Sequence, residues 1–170
     1  MNIKNLTPEQ QKERLKHFAS RQLGKPYKWG VKKSELGKYF DCSSLTQYIY
    51  RRIGIELPRT SILQAYLGKT IKPAKKPPFF KEKDLRTGDL LFFKAEKGHY
   101  TKEFPMGISH PVMYFGDGKF IHCTSPQRVP SSNIGLNQKG MVLTGGVTFE
   151  KFEKIANRKD FVIAKRILID

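Results

Sequence analysis

The chain contains very little cysteine: only Cys42 and Cys123 in 170 residues. Two cysteines cannot form the dense disulfide framework of a small secreted scaffold, and no Cys-x-x-Cys pair is present to ligate a structural zinc ion. A single disulfide between the two is the only bridge the chain could make. We therefore expect the fold to depend on a hydrophobic core, and each cysteine to be a buried thiol, half of that one disulfide, or a reactive group.

Long hydrophobic runs are also missing. No stretch of about eighteen apolar residues occurs, and the first segment, MNIKNLTPEQQKERLKHF, has no apolar signal-peptide core. We therefore expect neither a membrane span nor a signal peptide. The expected location is cytoplasmic, unless a signal was removed or the protein leaves the cell by another route.

Acidic residues are scarce: 15 Asp and Glu stand against 32 Lys and Arg, a net charge of +17. Such an excess favours anionic partners, among them nucleic acid, acidic membrane surfaces and an anionic cell-wall polymer, although a generally basic surface would give the same count. No nucleic-acid-binding motif accompanies the charge, so no nucleic-acid partner is expected. The length is that of one domain, 1–170, and we expect a monomer.

Helices are predicted in the first half of the chain. Thr7 reads as an N-cap, with Pro8 at the first helical position and Gln10 completing a capping box. A second helix is predicted to begin at Cys42, and a short third one is predicted to be capped by Thr60. The apolar positions of the second helix follow helical spacing: Leu45, Tyr48, Ile49 and Ile53.

The second half is rich in short β-type runs. They are DLLFFK (89–94), HPVMYFG (110–116), KFIHCT (119–124) and DFVIAKRILI (160–169), with Gly-Asp-Gly at 116–118 as a hairpin turn. Thr148 is predicted to cap a short helix. Residues 72–78 read as a basic, proline-rich surface connector, and residues 95–109 as a long polar loop that forms either a lid over a site or a wall beside it. This layout predicts an α+β fold.

The position of Cys42 at a predicted helix N-terminus favours a reactive thiolate, because free backbone N–H groups and the positive end of the helix dipole lie there. A cysteine nucleophile also needs a base, and the chain offers His17, His99, His110 and His122. His110 and His122 lie on consecutive strands joined by the Gly-Asp-Gly turn, so their rings can meet across the hairpin. His110 would then accept the thiol proton and His122 would orient it. The alternative is two half-buried strand residues with hydrogen-bonded rings.

Several motifs occur in the order and spacing of one known family. GKPYKWG, DCSSLTQYIYRRIGIELPRTS, LRTGDLLFF, ISHPVMYFGDGKFIHC and FVIAKRIL together resemble the NlpC family of bacterial cell-wall cysteine peptidases. The resemblance covers nearly the whole chain and implies a papain-like fold. In that fold, N-terminal helices, with the nucleophile at the start of one of them, pack against an antiparallel β-sheet that carries the histidines.

The resemblance also implies roles for individual residues. Cys42 would be the nucleophile, His110 the general base and His122 the third, orienting member. Tyr27 would help to polarise the scissile carbonyl, the backbone N–H of Cys42 would be an oxyanion donor, and Asp41 would shape the substrate pocket, although a plain N-cap would explain an aspartate there equally well.

The neighbours of the nucleophile, Ser43 and Ser44, are expected at the pocket, where Ser44 replaces the glycine usual in the family. No metal or cofactor is implied. The implied substrate is a peptidoglycan stem peptide or muropeptide, cleaved at an amide bond between D-glutamate and the diamino acid through an acyl-enzyme.

Two other classes of function stay open on the sequence. Proteins similar to the lecithin retinol acyltransferase group use the same fold on lipids and esters, and an apolar groove near Tyr66, Phe79 and Phe80 would favour an acyltransferase or ester hydrolase. A non-catalytic basic module that binds an anionic polymer would explain the charge alone.

Overall fold

The structure is a computed structural model that describes residues 6–94, 100–130 and 141–168, with the side chains of all these residues except 127–130 and 141–143. The described residues form four α-helices: α1 (Pro8–Ser20), α2 (Cys42–Arg51), α3 (Ser61–Gln64) and α4 (Phe152–Ala156). Six strands form the sheet: β1 (Lys69–Thr70), β2 (Leu90–Phe93), β3 (His110–Gly116), β4 (Lys119–Pro130), β5 (Met141–Lys151) and β6 (Phe161–Arg166). The predicted α+β fold is confirmed.

Local capping signals set the starts of the two long helices. The Thr7 hydroxyl accepts from the Gln10 amide, and the Gln10 side chain accepts from the Thr7 amide, which completes the predicted capping box of α1. Asp41 caps α2 in the same way, with the Ser44 hydroxyl as its reciprocal partner. Helix α2 therefore begins at Cys42, as predicted.

The sheet is antiparallel throughout, with the spatial order β1-β6-β2-β3-β4-β5. Strands β3 and β4 form the predicted hairpin, and Gly116, Asp117 and Gly118 at its turn all have positive φ. His110 pairs with Phe93 of β2 at the start of β3, whereas the ladder from β3 to β4 begins only at Met113. The missing N–H of Pro111 therefore leaves no gap in that ladder.

One local prediction was wrong. Thr148 does not cap a helix but lies within β5, opposite His122, and α4 begins at Phe152, four residues after Thr148. Thr60 is the N-cap residue of α3, as predicted, but its hydroxyl makes no capping hydrogen bond and is buried without a partner among the described residues. The predicted surface connector 72–78 is exposed, and residues 95–99 of the predicted loop lie outside the described residues.

Two apolar clusters cover the two faces of the sheet. The larger lies between the sheet and helices α1 and α2, where Leu15, Leu45 and Ile49 are fully buried. The smaller lies on the opposite face, under α4, around Phe93 and Phe120. Within the described residues, no helix is both long and apolar enough to cross a membrane. The sheet thus holds the strand histidines rigidly while α2 packs the cysteine against one of its faces.

Two glycines test how tightly the sheet edge is packed. Gly68 and Gly30 have nearly equal positive φ values, +72° and +68°, but a Cβ at Gly68 would overlap the Arg166 carbonyl of β6, whereas a Cβ at Gly30 would meet open space. Gly30→Ala should cost about 1 kcal/mol of unfolding free energy from backbone strain alone. Gly68→Ala should cost about 2 kcal/mol more, because the overlap adds to the strain. Urea denaturation of both variants checks this, and equal costs would contradict the packing described for β1 and β6.

Candidate active site

The Cys42 thiol lies at the first helical position of α2 and donates a hydrogen bond to the Ser109 carbonyl, with 3.1 Å between sulfur and oxygen. Ser109 directly precedes His110 at the start of β3. The helix start and the strand start are therefore joined through the thiol itself. The thiol forms no hydrogen bond with His110 among the described contacts, so it must rotate away from the carbonyl to deliver its proton to that ring.

The Ser61 hydroxyl, at the start of α3, donates to the same Ser109 carbonyl at 3.0 Å. Sequence reasoning missed both serines. The signal for Ser61 was present in the motif LPRTS, but nothing in the sequence shows that the segment folds back onto the nucleophile. Ser109 acts through its backbone carbonyl, which a residue of any type would supply, so the identity of its side chain gives no signal.

His110 and His122 meet across the hairpin as predicted, with 2.9 Å between Nε2 of His110 and Nδ1 of His122. Only 5% of His122 is exposed, and its Nε2 atom is buried with no hydrogen-bond partner among the described residues. If Nε2 of His110 carries the shared proton, its Nδ1 is left unprotonated as the base. We assign this tautomer because the reverse one would place a proton on the nitrogen that has to accept one.

Asp41 does more than cap α2. Its carboxylate accepts from the Ser44 amide at 2.8 Å and forms an ion pair with Arg59, whose Nη1 lies 3.1 Å from Oδ1. Arg59 also donates to the Ser43 hydroxyl at 3.0 Å and to the Val31 carbonyl at 3.3 Å. The cap, the segment before α3 and the loop after Tyr27 are thus tied together beside the nucleophile. Arg59 is a second site residue that sequence reasoning missed.

The Ser44 side chain is fully buried, and its hydroxyl exchanges hydrogen bonds with the Asp41 backbone. The substitution of glycine by serine therefore strengthens the cap, and the hydroxyl does not point into open space. Ser43 is also buried, and its carbonyl accepts from the Gln64 amide at 3.0 Å. We therefore expect Ser44 to influence substrate only through Asp41.

Tyr27 reaches the same region from the N-terminal side. It bridges to Phe40, directly before the cap residue Asp41. Burial, with the neighbouring Cys42 and Asp41 acting in the same direction, raises the pKa of Tyr27 to about 12. The phenol is therefore a neutral donor at neutral pH.

A comparison with known protein families matches residues 24–142 to the NlpC/P60 family. The matched segment spans most of the chain and includes Cys42, His110 and His122. The chain belongs to the NlpC/P60 family. The family predicted from the sequence motifs is confirmed.

Two curated NlpC/P60 relatives show the extent of the likeness. The gamma-DL-glutamyl hydrolase of Bacillus subtilis is 35% identical over 115 residues, 68% of this chain and 24% of that protein. The gamma-D-glutamyl-L-lysine dipeptidyl-peptidase of Bacillus cereus is 33% identical over 120 residues, 71% of this chain and 30% of that protein. This chain therefore spans less than a third of the length of either relative.

Solved NlpC/P60 structures share the fold. NlpC2 of Trichomonas vaginalis superposes with a TM-score of 0.61 at 26% identity, covering 100% of this chain and 51% of that one. A Bacillus cereus NlpC/P60 protein gives the same TM-score, covering 93% of this chain and 40% of that one. The predicted papain-like arrangement is confirmed.

Burial dominates the electrostatics of the cysteine and the histidines. Together with the Asp41 carboxylate, it raises the pKa of Cys42 to about 11, against the opposing effect of the Ser61 hydroxyl and the backbone amides of Cys42 and Ser43. Burial lowers the pKa of His110 to about 3, helped by His122 and Arg158. The resting site therefore holds a neutral thiol and a neutral imidazole, in agreement with the thiol donating to a carbonyl.

His122 is kept neutral for the same reason. Burial lowers its pKa to about 4, with Arg158 and Lys154 acting in the same direction and Glu150 opposing them. At neutral pH a neutral His122 can accept the hydrogen bond that Nε2 of His110 donates. The histidine pair is therefore suited to carry a single proton.

Cys123 and His17 play no part in this cluster. Cys123 is a free, fully buried thiol that donates to the Phe40 carbonyl at 3.2 Å, and no disulfide joins it to Cys42. His17 lies on α1 with its ring against Phe18, and His99 lies outside the described residues. Over the described ranges, no group of three or more His, Cys, Asp or Glu side chains could hold a metal ion.

The resting protonation state can be measured by alkylation. The rate at which iodoacetamide modifies Cys42 should be low at neutral pH and rise through a pKa above the ordinary value of 9.0, because burial disfavours the thiolate. Mass spectrometry of tryptic peptides separates Cys42 from Cys123, and Cys42→Ala is the control. A Cys42 rate already at its plateau by pH 6 would show a thiolate–imidazolium pair in the resting site.

The ion pair at the helix cap gives a pH-dependent stability prediction. Burial alone would raise the pKa of Asp41, but hydrogen bonds from Arg59 and the Ser44 amide hold it below its usual range. A lowered folded-state pKa gives stability that is present at neutral pH and is lost as the pH falls through it. Arg59→Ala should therefore lose about 1–2 kcal/mol at pH 7 and much less near pH 3.

Asp41→Asn provides the control for this variant, since asparagine keeps the capping oxygen without the charge. Adding Arg59→Ala to Asp41→Asn should cost less than Arg59→Ala costs in the parent protein. Urea titrations at both pH values measure the coupling. Additive losses would mean that Arg59 does not compensate the Asp41 charge.

Proposed function

We propose that the protein is a cysteine-type endopeptidase that hydrolyses amide bonds in peptidoglycan stem peptides. The observation that carries this proposal is the thiol of Cys42 at a helix start, against the backbone of the residue preceding a paired His110–His122. This arrangement supplies a nucleophile, a base and an orienting group within one cluster. The proposal adds a substrate class to the geometry, and the names of the relatives support that class.

Attack begins with one proton transfer. The Cys42 thiol leaves the Ser109 carbonyl and gives its proton to Nδ1 of His110 as the sulfur adds to the amide carbonyl. The imidazolium so formed donates from Nε2 to the neutral His122, which holds the ring in place. A neutral acceptor at His122 lets the charge form in a buried site without a second proton entering it.

The negative charge that develops on the carbonyl oxygen needs donors. The backbone amides of Cys42 and Ser43 lie in the first turn of α2 and lower the pKa of the thiol. The Tyr27 hydroxyl, neutral at physiological pH, is the second source of a donor. We assign the oxyanion to the Cys42 amide and Tyr27.

Breakdown of the tetrahedral intermediate returns the proton. His110 protonates the departing amine, the C–N bond breaks, and the acyl group stays on sulfur as a thioester. Water then gives its proton to the same ring as its oxygen attacks the thioester. The proton returns to the sulfur as the acid leaves, so the enzyme is regenerated without any cofactor in these steps.

The substrate assignment follows from the relatives and the charge. Both curated relatives are named for gamma-glutamyl bonds. A D-glutamyl residue linked through its side-chain carboxyl keeps its α-carboxylate free, so the substrate is anionic, and the net charge of +17 favours it. We therefore propose the bond between D-glutamate and the diamino acid as the one cleaved, with the wall polymer as the protein's partner.

The apolar groove that would favour lipid or ester substrates is not formed by the three residues expected to line it. Phe80 is buried in the core, and Phe79 packs on Phe161. Tyr66 instead donates through its hydroxyl to the Glu103 carboxylate at 2.8 Å, and the Thr101 hydroxyl lies 2.8 Å from the same oxygen. These contacts give no support to an acyltransferase or lipid hydrolase.

Incubation with defined muropeptides, followed by mass spectrometry of the products, tests the proposal. Wild type should release products cut after D-glutamate, and Cys42→Ala and His110→Ala should lower kcat/KM by at least ~100-fold, the usual loss for a missing nucleophile or base. Cleavage by Cys42→Ala at the wild-type rate would refute the mechanism.

The histidine pair predicts a graded effect. His122→Ala should lower kcat less than His110→Ala does, because an orienting group can be lost while the base remains. His122→Gln offers an amide oxygen as the acceptor and should recover part of the loss. Equal losses for His110→Ala and His122→Ala, with no recovery in His122→Gln, would argue against the division of roles.

A further inference from the structure

A basic groove runs along the outer side of α2, away from the histidines. It consists of two adjoining surface pockets that share Lys33, Leu36, Tyr48 and Arg51. One pocket extends to Arg59, and the other extends to Arg14 and Arg52. We call these lining residues the basic groove. The far end of the basic groove, around Arg14 and Arg52, has no role in the proposed reaction or in the capping of α2.

The charges at the two ends of the basic groove differ. Arg59 is paired with Asp41, and Arg51 is paired with Glu56 at 3.1 Å. By contrast, Arg14, Lys33 and Arg52 form no ion pair within the part of the chain that the structure describes. The pocket around Arg14 and Arg52 has no acidic residue in its lining. Three cations therefore face a shared space without a counter-charge from the described residues.

The two guanidinium groups at the far end are held in place. The Arg52 guanidinium lies 4.5 Å from the Tyr48 ring centroid and donates a hydrogen bond to the Tyr48 hydroxyl at 2.7 Å. Arg14 lies over Phe18 and donates to the Arg52 carbonyl at 3.2 Å, while its Nε is buried without a partner among the described residues. Ordered guanidinium groups bind oxyanions at a lower entropic cost than mobile lysines do.

The basic groove starts beside the nucleophile. Arg59, at the near end, contacts Asp41 and Ser43, which flank Cys42 in the sequence. Arg52, at the far end, follows the last residue of α2, so it lies about 15 Å from Cys42 at a rise of 1.5 Å per residue. A substrate strand longer than one stem peptide can therefore reach from the nucleophile to the far cations.

We propose that the basic groove is a second substrate-binding site, which holds the free carboxylates of a neighbouring peptide on the same wall polymer while Cys42 attacks the first. This inference rests on the proposed function and extends it, because it predicts a preference for fragments that carry several peptides. Continuity with the helix cap favours the substrate polymer over an unrelated anion. At the near end the arginines are already paired with acidic side chains, so the substrate polymer passes over them. At the far end the cations without an ion pair among the described residues bind its carboxylates.

Binding of soluble peptidoglycan fragments tests the proposal. Fragments with one stem peptide and with several linked stem peptides are titrated into the Cys42→Ala protein by calorimetry, so that turnover does not interfere. The multi-peptide fragment should bind more tightly, and its affinity should fall as NaCl is raised. Introducing Arg14→Gln and Arg52→Gln together should raise its Kd about fivefold or more, since two charge-assisted contacts are lost.

A matched control removes the same charge elsewhere. Lys72 and Lys75 are exposed in the connector, next to Ile71 and Phe79, which pack on the opposite face of the sheet. Lys72→Gln with Lys75→Gln should change the Kd by less than twofold. An equal change in both double variants would show that net charge alone drives binding, and no change in the groove variant would overturn the proposal outright.

Two further measurements separate loss of binding from loss of folding, and carboxylate binding from the binding of other anions. Lys33 is exposed and makes no side-chain hydrogen bond among the described residues, so Lys33→Gln should fold normally and weaken binding even if the arginine variant melts early. A phosphodiester polymer that displaces the fragment better than poly-γ-glutamate does would overturn the carboxylate assignment. Failure of wild type to cleave either fragment would refute the proposed function. Cleavage by wild type, together with an unchanged Kd in the Arg14→Gln, Arg52→Gln variant, would refute only this inference.

Discussion

The cap of helix α2 by Asp41 is the interaction on which the site depends. It begins the helix at Cys42, so the nucleophile lies in the first turn of α2 together with free backbone amides, and it orders the chain on either side of the nucleophile. Only 5% of Asp41 is exposed, so its carboxylate needs a counter-charge, and Arg59 supplies it from a segment 18 residues away. That ion pair draws the start of α3 toward the helix, which brings Ser61 to the carbonyl shared with the thiol. One buried charge thus organises three segments.

The site balances reactivity against burial. A helix N-terminus favours the thiolate, yet the same packing that excludes water disfavours any charge, and burial has the larger effect on Cys42 and on His110. The resting groups are therefore neutral, and the charge separates only when substrate provides a carbonyl to attack. The His122 ring, held by the hairpin, makes this separation possible, because it accepts from the new imidazolium without becoming charged itself.

Local signals were readable from the sequence, and long-range ones were not. The capping box at Thr7 and the hairpin that pairs the histidines depend on residues close in sequence, so both were predicted correctly. Strand β5 was missed because Gly145 and Gly146 weaken its pattern, and its pairing with β4 defines it instead. Both glycines have positive φ, and a Cβ at either would contact the backbone of another segment. The contact between Arg59 and Asp41 could not be predicted from the sequence, because it depends on tertiary packing and not on the spacing of residues within one helix or strand.

Membership of the NlpC/P60 family and this geometry together point to covalent catalysis at one sulfur atom. The most direct test is to mix the enzyme with a defined stem peptide, quench the reaction with acid within the first turnover, and measure the mass of the intact protein by mass spectrometry. The account predicts a mass increase equal to the acyl half of the peptide, mapped to the tryptic peptide that contains Cys42, and decaying as product accumulates. Peptide cleavage with no adduct at any quench time, or an adduct that maps to Cys123, would contradict it.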